Sequence, residues 1–138
     1  MHTDAALVLF CAGLILLAAM LLGVWKWRAM VASPDGRAHR YIDVAHQAAL
    51  LYSFATALLA ALVQFSAWPP AVNLGAAGVV VALFAGAIGR YASLGLSKET
   101  DNQMRNAPKS THRMMYFLAA GEIGGVVVLL AGFATAQL

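Results

Sequence analysis

Four apolar stretches, each long enough to cross a lipid bilayer, occupy most of this chain of 138 residues. They run from Ala5 to Trp27, Tyr41 to Trp68, Val72 to Leu96 and His112 to Gln137. At 1.5 Å of rise per residue each exceeds the ~30 Å of a hydrocarbon core. Without water to satisfy backbone amides, an open-ended chain crosses lipid only as a helix. The expected fold is therefore all-α: one integral membrane four-helix bundle, antiparallel, spanning residues 1–138 as a single domain. Mean hydropathy of +0.75 with 11% charged residues agrees, since a soluble domain carries about a quarter.

The basic residues set an expected orientation. Lys26, Arg28, Arg37 and Arg40 flank the first connection, and Lys98, Arg105, Lys109 and Arg113 the third. The second connection, around Trp68-Pro69-Pro70, has none, nor has the N-terminal tail. The positive-inside rule then puts the basic connections in the cytoplasm and both termini outside, as in a bacterial inner membrane. This clustering reads as topology, and nucleic acid is not an expected partner. The first stretch ends in Trp25-Lys26-Trp27-Arg28 with no small-residue cleavage site, so it is expected to remain as a span. Cys11 lies alone in that stretch and is expected to pack there.

Helices in lipid associate through small residues and polar contacts. The third stretch offers Gly75, Gly78, Ala82, Ala85, Gly86 and Gly89; the fourth offers the pair Gly121 and Gly125, then Gly132. Such faces fit contacts between subunits, a trimer foremost, or a tightened single bundle.

Ionisable groups within spans are costly, so Asp43, His46, Arg90 and Glu122 are the candidates for function. Asp43, His46, Ser53, Ala57, Ala60 and Gln64 recur at helical spacing on one face, which is expected to look into the protein. His46, Tyr52, Arg90 and Tyr91 are expected to surround a shallow cavity open to the cytoplasm, with Asp101 in the polar loop Thr100-Asp101-Asn102-Gln103 at its mouth. His46 has two readings, an iron ligand through one nitrogen or a histidine hydrogen-bonded within the bundle. Arg90 either binds an anion or reaches back to the headgroups. Glu122 is expected to be protonated or paired with Gln64, a tyrosine or its own copy in a neighbour. Paired-cysteine zinc sites, H-E-x-x-H, G-x-S-x-G, P-loop and dinucleotide patterns are all missing.

With Asp43-Val44-Ala45-His46 opening the second stretch and Gly89-Arg90-Tyr91 on the third, the chain resembles the styrene oxide isomerase and hydroxylaminobenzene mutase group. That resemblance implies a trimer of four-helix subunits, with haem b on the histidine matched by His46 and ferric iron acting as a Lewis acid on a lipophilic substrate's oxygen. Tyr52 stands where that group has asparagine, and Tyr91 lies near its third-helix tyrosine. Ala45-His46 and the stretch from Gly89-Arg90 to Gly95-Leu96-Ser97 are also similar to the membrane-associated eicosanoid and glutathione metabolism family. There Arg90 would steer a glutathione thiolate. Val44, Ala48 and Leu51 replace that family's polar second-helix residues, with Arg40 and Asp43 as substitutes. From a different class comes a third expectation, a non-catalytic accessory subunit that docks through its glycine faces.

Overall fold

The computed structural model describes all residues, 1–138. It contains four helices and no strand: α1 (Thr3–Ala32), α2 (Arg40–Gln64), α3 (Pro70–Ser97) and α4 (Lys109–Gln137). All four are long and apolar enough to span a membrane, which makes this a multi-pass membrane protein. They form an antiparallel bundle with the two basic connections at one end, here the basic end, and both termini at the other.

Local chemistry sets the helix limits. Pro34 holds Ser33 extended, ending α1, and Gly36 takes the positive φ that completes the turn. The second stretch runs as helix only to Gln64, short of the expected Trp68. Pro69 and Pro70 lack amide protons, and Pro70 instead opens α3, where its missing N–H goes unneeded. Lys26, Arg28, Arg40, Lys109 and Arg113 lie within the helices, in the two turns nearest their ends, and only Arg37, Lys98 and Arg105 lie in the connections themselves.

Helices α1 and α2 share the broadest interface, while α4 touches α3 and α2 but not α1. The core lies toward the terminal end, where Val8, Val63, Val80, Phe84 and Leu129 meet. Helix α2 buries Ile42, Ala45, Ala49, Ser53, Thr56 and Val63, with Ala60 beside them. Of the face expected to look inward, only Ser53 and Ala60 are buried; Asp43, His46, Ala57 and Gln64 lie along its margin, partly exposed. Gly121 and Gly125 are spent within the subunit: a Cβ on Gly121 would overlap Leu83, and one on Gly125 would overlap Val80 and the Ala76 carbonyl. Gly75, Gly78, Gly86, Gly89 and Gly124 face open space.

Candidate functional site

At the basic end, polar contacts take over from the core. The connection of residues 98–108 folds back so that the Gln103 amide donates to the Tyr41 hydroxyl at 2.7 Å. Tyr41 in turn stacks on Tyr91, ring centroids 6.1 Å apart. Arg90 Nε donates to Gln103 Oε1 at 3.4 Å. One loop glutamine therefore ties the start of the second helix to the end of the third. Beneath it, between α3 and α4, lies a cavity of about 240 Å³. Arg90, Tyr91 and Gln103 form its polar head; Ala82, Leu83, Met115 and Phe117 are among its apolar walls. Arg90 forms no ion pair, and its one hydrogen-bond partner, Gln103, is neutral.

The other expected site residues fall elsewhere. His46 turns toward α1, with Nδ1 2.9 Å from the Ala19 carbonyl oxygen and its ring against the bare backbone of Gly23. A carbonyl only accepts, so Nδ1 carries a proton, and in the neutral tautomer the lone pair is on Nε2, to which no hydrogen bond is made. Asp43 pairs with Lys26 of α1 and accepts from Gln47 Nε2 at 3.1 Å. Tyr52 stacks flat on Phe84 with centroids 4.1 Å apart, at the edge of the core. Asp101 stands exposed, 3.4 Å from Arg105. The single hollow expected from the sequence is thus divided: Arg90 and Tyr91 share a cavity, whereas His46 and Asp43 lie along the α1–α2 seam.

Two polar clusters escaped sequence reasoning. Tyr41 stands at the boundary of the second apolar stretch, and its role at Gln103 depends on how the connection folds. At the terminal end, Asp4 and Asn73 are almost wholly buried, at 4% and 2% exposure, and hydrogen-bonded to each other. An asparagine inside an apolar stretch was the available signal. Glu122 has a buried oxygen, Oε1, with no partner in the subunit. No group of three His, Cys, Asp or Glu side chains comes together to hold a metal ion. Comparison with family models, curated proteins and solved structures finds no match to this chain.

Proposed function

We propose that this chain binds a small lipophilic molecule bearing an anionic or strongly polar group, in the α3–α4 cavity at the basic end. The observation that carries this reading is Arg90, a cation without a carboxylate partner, at the head of an apolar cavity. An unpaired guanidinium in such surroundings gains most from an anion that accepts from both arms of its fork. Tyr91 and Gln103 add polar groups that would orient the ligand. The basic end is taken as cytoplasmic, in a bacterial inner membrane, by the distribution of Lys and Arg. Calorimetric titration of 2-naphthoate into protein held in zwitterionic-lipid nanodiscs tests the reading. Saturable binding, weakened about tenfold in Arg90→Gln and unchanged in Arg105→Gln, is expected, because a charge-assisted bond is worth ~1.5–3 kcal/mol. Absence of saturable binding overturns it.

A second reading is favoured by His46. Its Nδ1 is held by a backbone carbonyl and its Nε2 is free, the arrangement an axial haem ligand requires. The donor atom fits haem b. His46 lines none of the principal cavities, so a second copy, as in a trimer, would supply the remaining wall. When bound, ferric haem supplies a Lewis acid for isomerase-type chemistry on a lipophilic substrate. A Soret band that is lost or shifted in His46→Ala is expected on this reading; a purified protein without one removes it. Glutathione is the soluble ligand to titrate alongside, with weakening in Arg90→Ala expected if it is the Arg90 anion.

A further inference from the structure

The two basic connections converge at one hollow. Arg37 and His39, from the connection after α1, and Lys98, from the connection after α3, line a space of about 320 Å³ at the basic end. Its floor is apolar, made by Ala29 and Ala32 in the last turn of α1 and Ile42 in the first turn of α2. Close approach of the helix ends brings these groups together. A Cβ on Gly95 would stand 2.9 Å from Ile42 Cγ1 and 3.1 Å from Trp25 Cη2, so a bare backbone is what lets α3 close on its neighbours there. The bond from the Gln103 amide to Tyr41 holds the third connection against the same end of α2.

Arg37, His39 and Lys98 are all donors. Arg37 and Lys98 carry permanent charges, and neither forms an ion pair. His39 Nδ1 accepts from the Tyr41 amide at 3.3 Å, so the neutral ring carries its proton on Nε2 and has only a donor left to offer. No carboxylate lines the hollow. Asp35, two residues before Arg37, is engaged by the Ser33 hydroxyl and the Arg37 amide. A second hollow that Arg37 also lines differs in this respect, for it contains Lys26 and Arg40 but also Asp43, which pairs with Lys26. Lys98 adds an independent sign. It closes α3 at φ 54° and ψ 21°, a left-handed conformation that glycine takes without penalty and lysine does not. Such a strained residue at the lip of a donor-lined hollow marks a side chain kept for what it can bind.

We propose that this hollow binds a phosphomonoester-type dianion, held between Arg37 and Lys98 with His39 Nε2–H as a further donor. A phosphomonoester carries close to two negative charges and three strong acceptor oxygens, which matches two fixed cations and a ring donor arriving from separate connections. Arginine takes two of those oxygens through its fork, and lysine serves as a point charge. Inorganic phosphate and soluble phosphomonoesters share this chemistry with the headgroup of phosphatidic acid, which lies at the level where helices leave the bilayer. None of the residues lining the hollow lines the Arg90 cavity, so the two anion sites stand or fall separately.

Calorimetric titration of the full chain in maltoside micelles, with inorganic phosphate, short-chain phosphatidic acid or short-chain phosphatidylglycerol, supplies the readout. Saturable phosphate binding is expected, weakened about tenfold in Arg37→Gln and in Lys98→Gly. Lys109→Gln, a basic position outside the hollow, is expected to leave it unchanged. Lys98→Gly should at the same time raise the melting temperature, because glycine relieves the left-handed backbone, and this separates lost binding from lost structure. Phosphatidic acid that displaces phosphate and binds more tightly assigns the site to lipid; weaker binding or no displacement assigns it to a soluble phosphomonoester. Absence of saturable binding by either, an equal loss in Lys109→Gln, or full binding in Lys98→Gly overturns the proposal. Phosphatidylglycerol, a singly charged diester, binding as tightly as phosphatidic acid overturns the assignment to a phosphomonoester.

Discussion

Asn73 Nδ2 donates to Asp4 Oδ2 at 3.1 Å, joining the first turn of α3 to the first turn of α1 across 69 positions of sequence. The same nitrogen donates to the Trp68 carbonyl at 3.2 Å, so one amide also fastens the α2–α3 connection. Both side chains are buried, and removing the donor leaves an acceptor without a partner. Asn73→Ala is expected to lower stability by about 1–3 kcal/mol, read as a fall in melting temperature in detergent. A melting temperature equal to wild type would mean that Asp4 is solvated in the assembled protein.

The seam between α1 and α2 makes a second prediction. Gly23 leaves room for the His46 ring: a Cβ there would stand 2.9 Å from Cε1. Gly23→Val must push the ring away from the Ala19 carbonyl, at a cost of about 1–3 kcal/mol for overpacking. Imidazole ¹⁵N shifts report the protonated nitrogen, and loss of the Nδ1-protonated signature in this variant is expected. An unchanged spectrum would show that Ala19 does not fix the tautomer.

The spans were legible because expelling polar backbone from lipid leaves few alternatives to a long apolar helix. Proline marked the break at Pro69-Pro70, although α2 stops at Gln64, four residues short of the stretch read from hydropathy. The site was legible only in part. Arg90 and Tyr91 announced themselves as polar residues in an apolar run, and they do share a cavity. His46 lies at similar depth, but depth carries no azimuth: a shift of the buried face of α2 toward Ile42, Ala45 and Ala49 turns His46 to α1. Hydropathy passed over Asn73 and Tyr41 because their partners are supplied by other helices and a connection.

Glycine neighbours on α4 should respond in opposite ways. At Gly125 an added methyl meets the Ala76 carbonyl carbon and oxygen, the oxygen at 2.9 Å, and backbone does not yield as a flexible side chain does. At Gly124 it meets nothing within 4 Å. Gly125→Ala is expected to destabilise by about 1–3 kcal/mol, while Gly124→Ala stays within about 0.5 kcal/mol or gains slightly from helix propensity. Thermal melts of the two variants side by side check this; equal effects would place α4 differently against α3.

Outside the spans, the turn after α1 carries a pH dependence. The Ser33 hydroxyl donates to Asp35, and the Arg37 amide donates to the same oxygen at 3.1 Å; together they hold the Asp35 carboxyl below its ordinary value. Because the depressed value belongs to the folded turn, its contribution is complete above the usual carboxylate range and is lost as pH falls through the lowered value. Carboxyl-carbon NMR titration should give a midpoint for Asp35 below that of an unstructured aspartate, rising toward it in Ser33→Ala. Identical midpoints would show that the hydroxyl does not retain the charge.

Glu122 supplies the last test, one that turns on sign. It lies 13 residues from the start of α4, about 20 Å along the helix and near mid-span, and its Oε1 is buried without a hydrogen bond. In the isolated subunit such a group costs stability, because no donor of the chain reaches its buried oxygen. Glu122→Leu should therefore stabilise the protein, by on the order of 1 kcal/mol, with an unchanged oligomeric state. A loss of stability together with smaller particles in size-exclusion chromatography would reverse the conclusion: the carboxyl would then have its partner in a neighbouring copy, since its own subunit presents none.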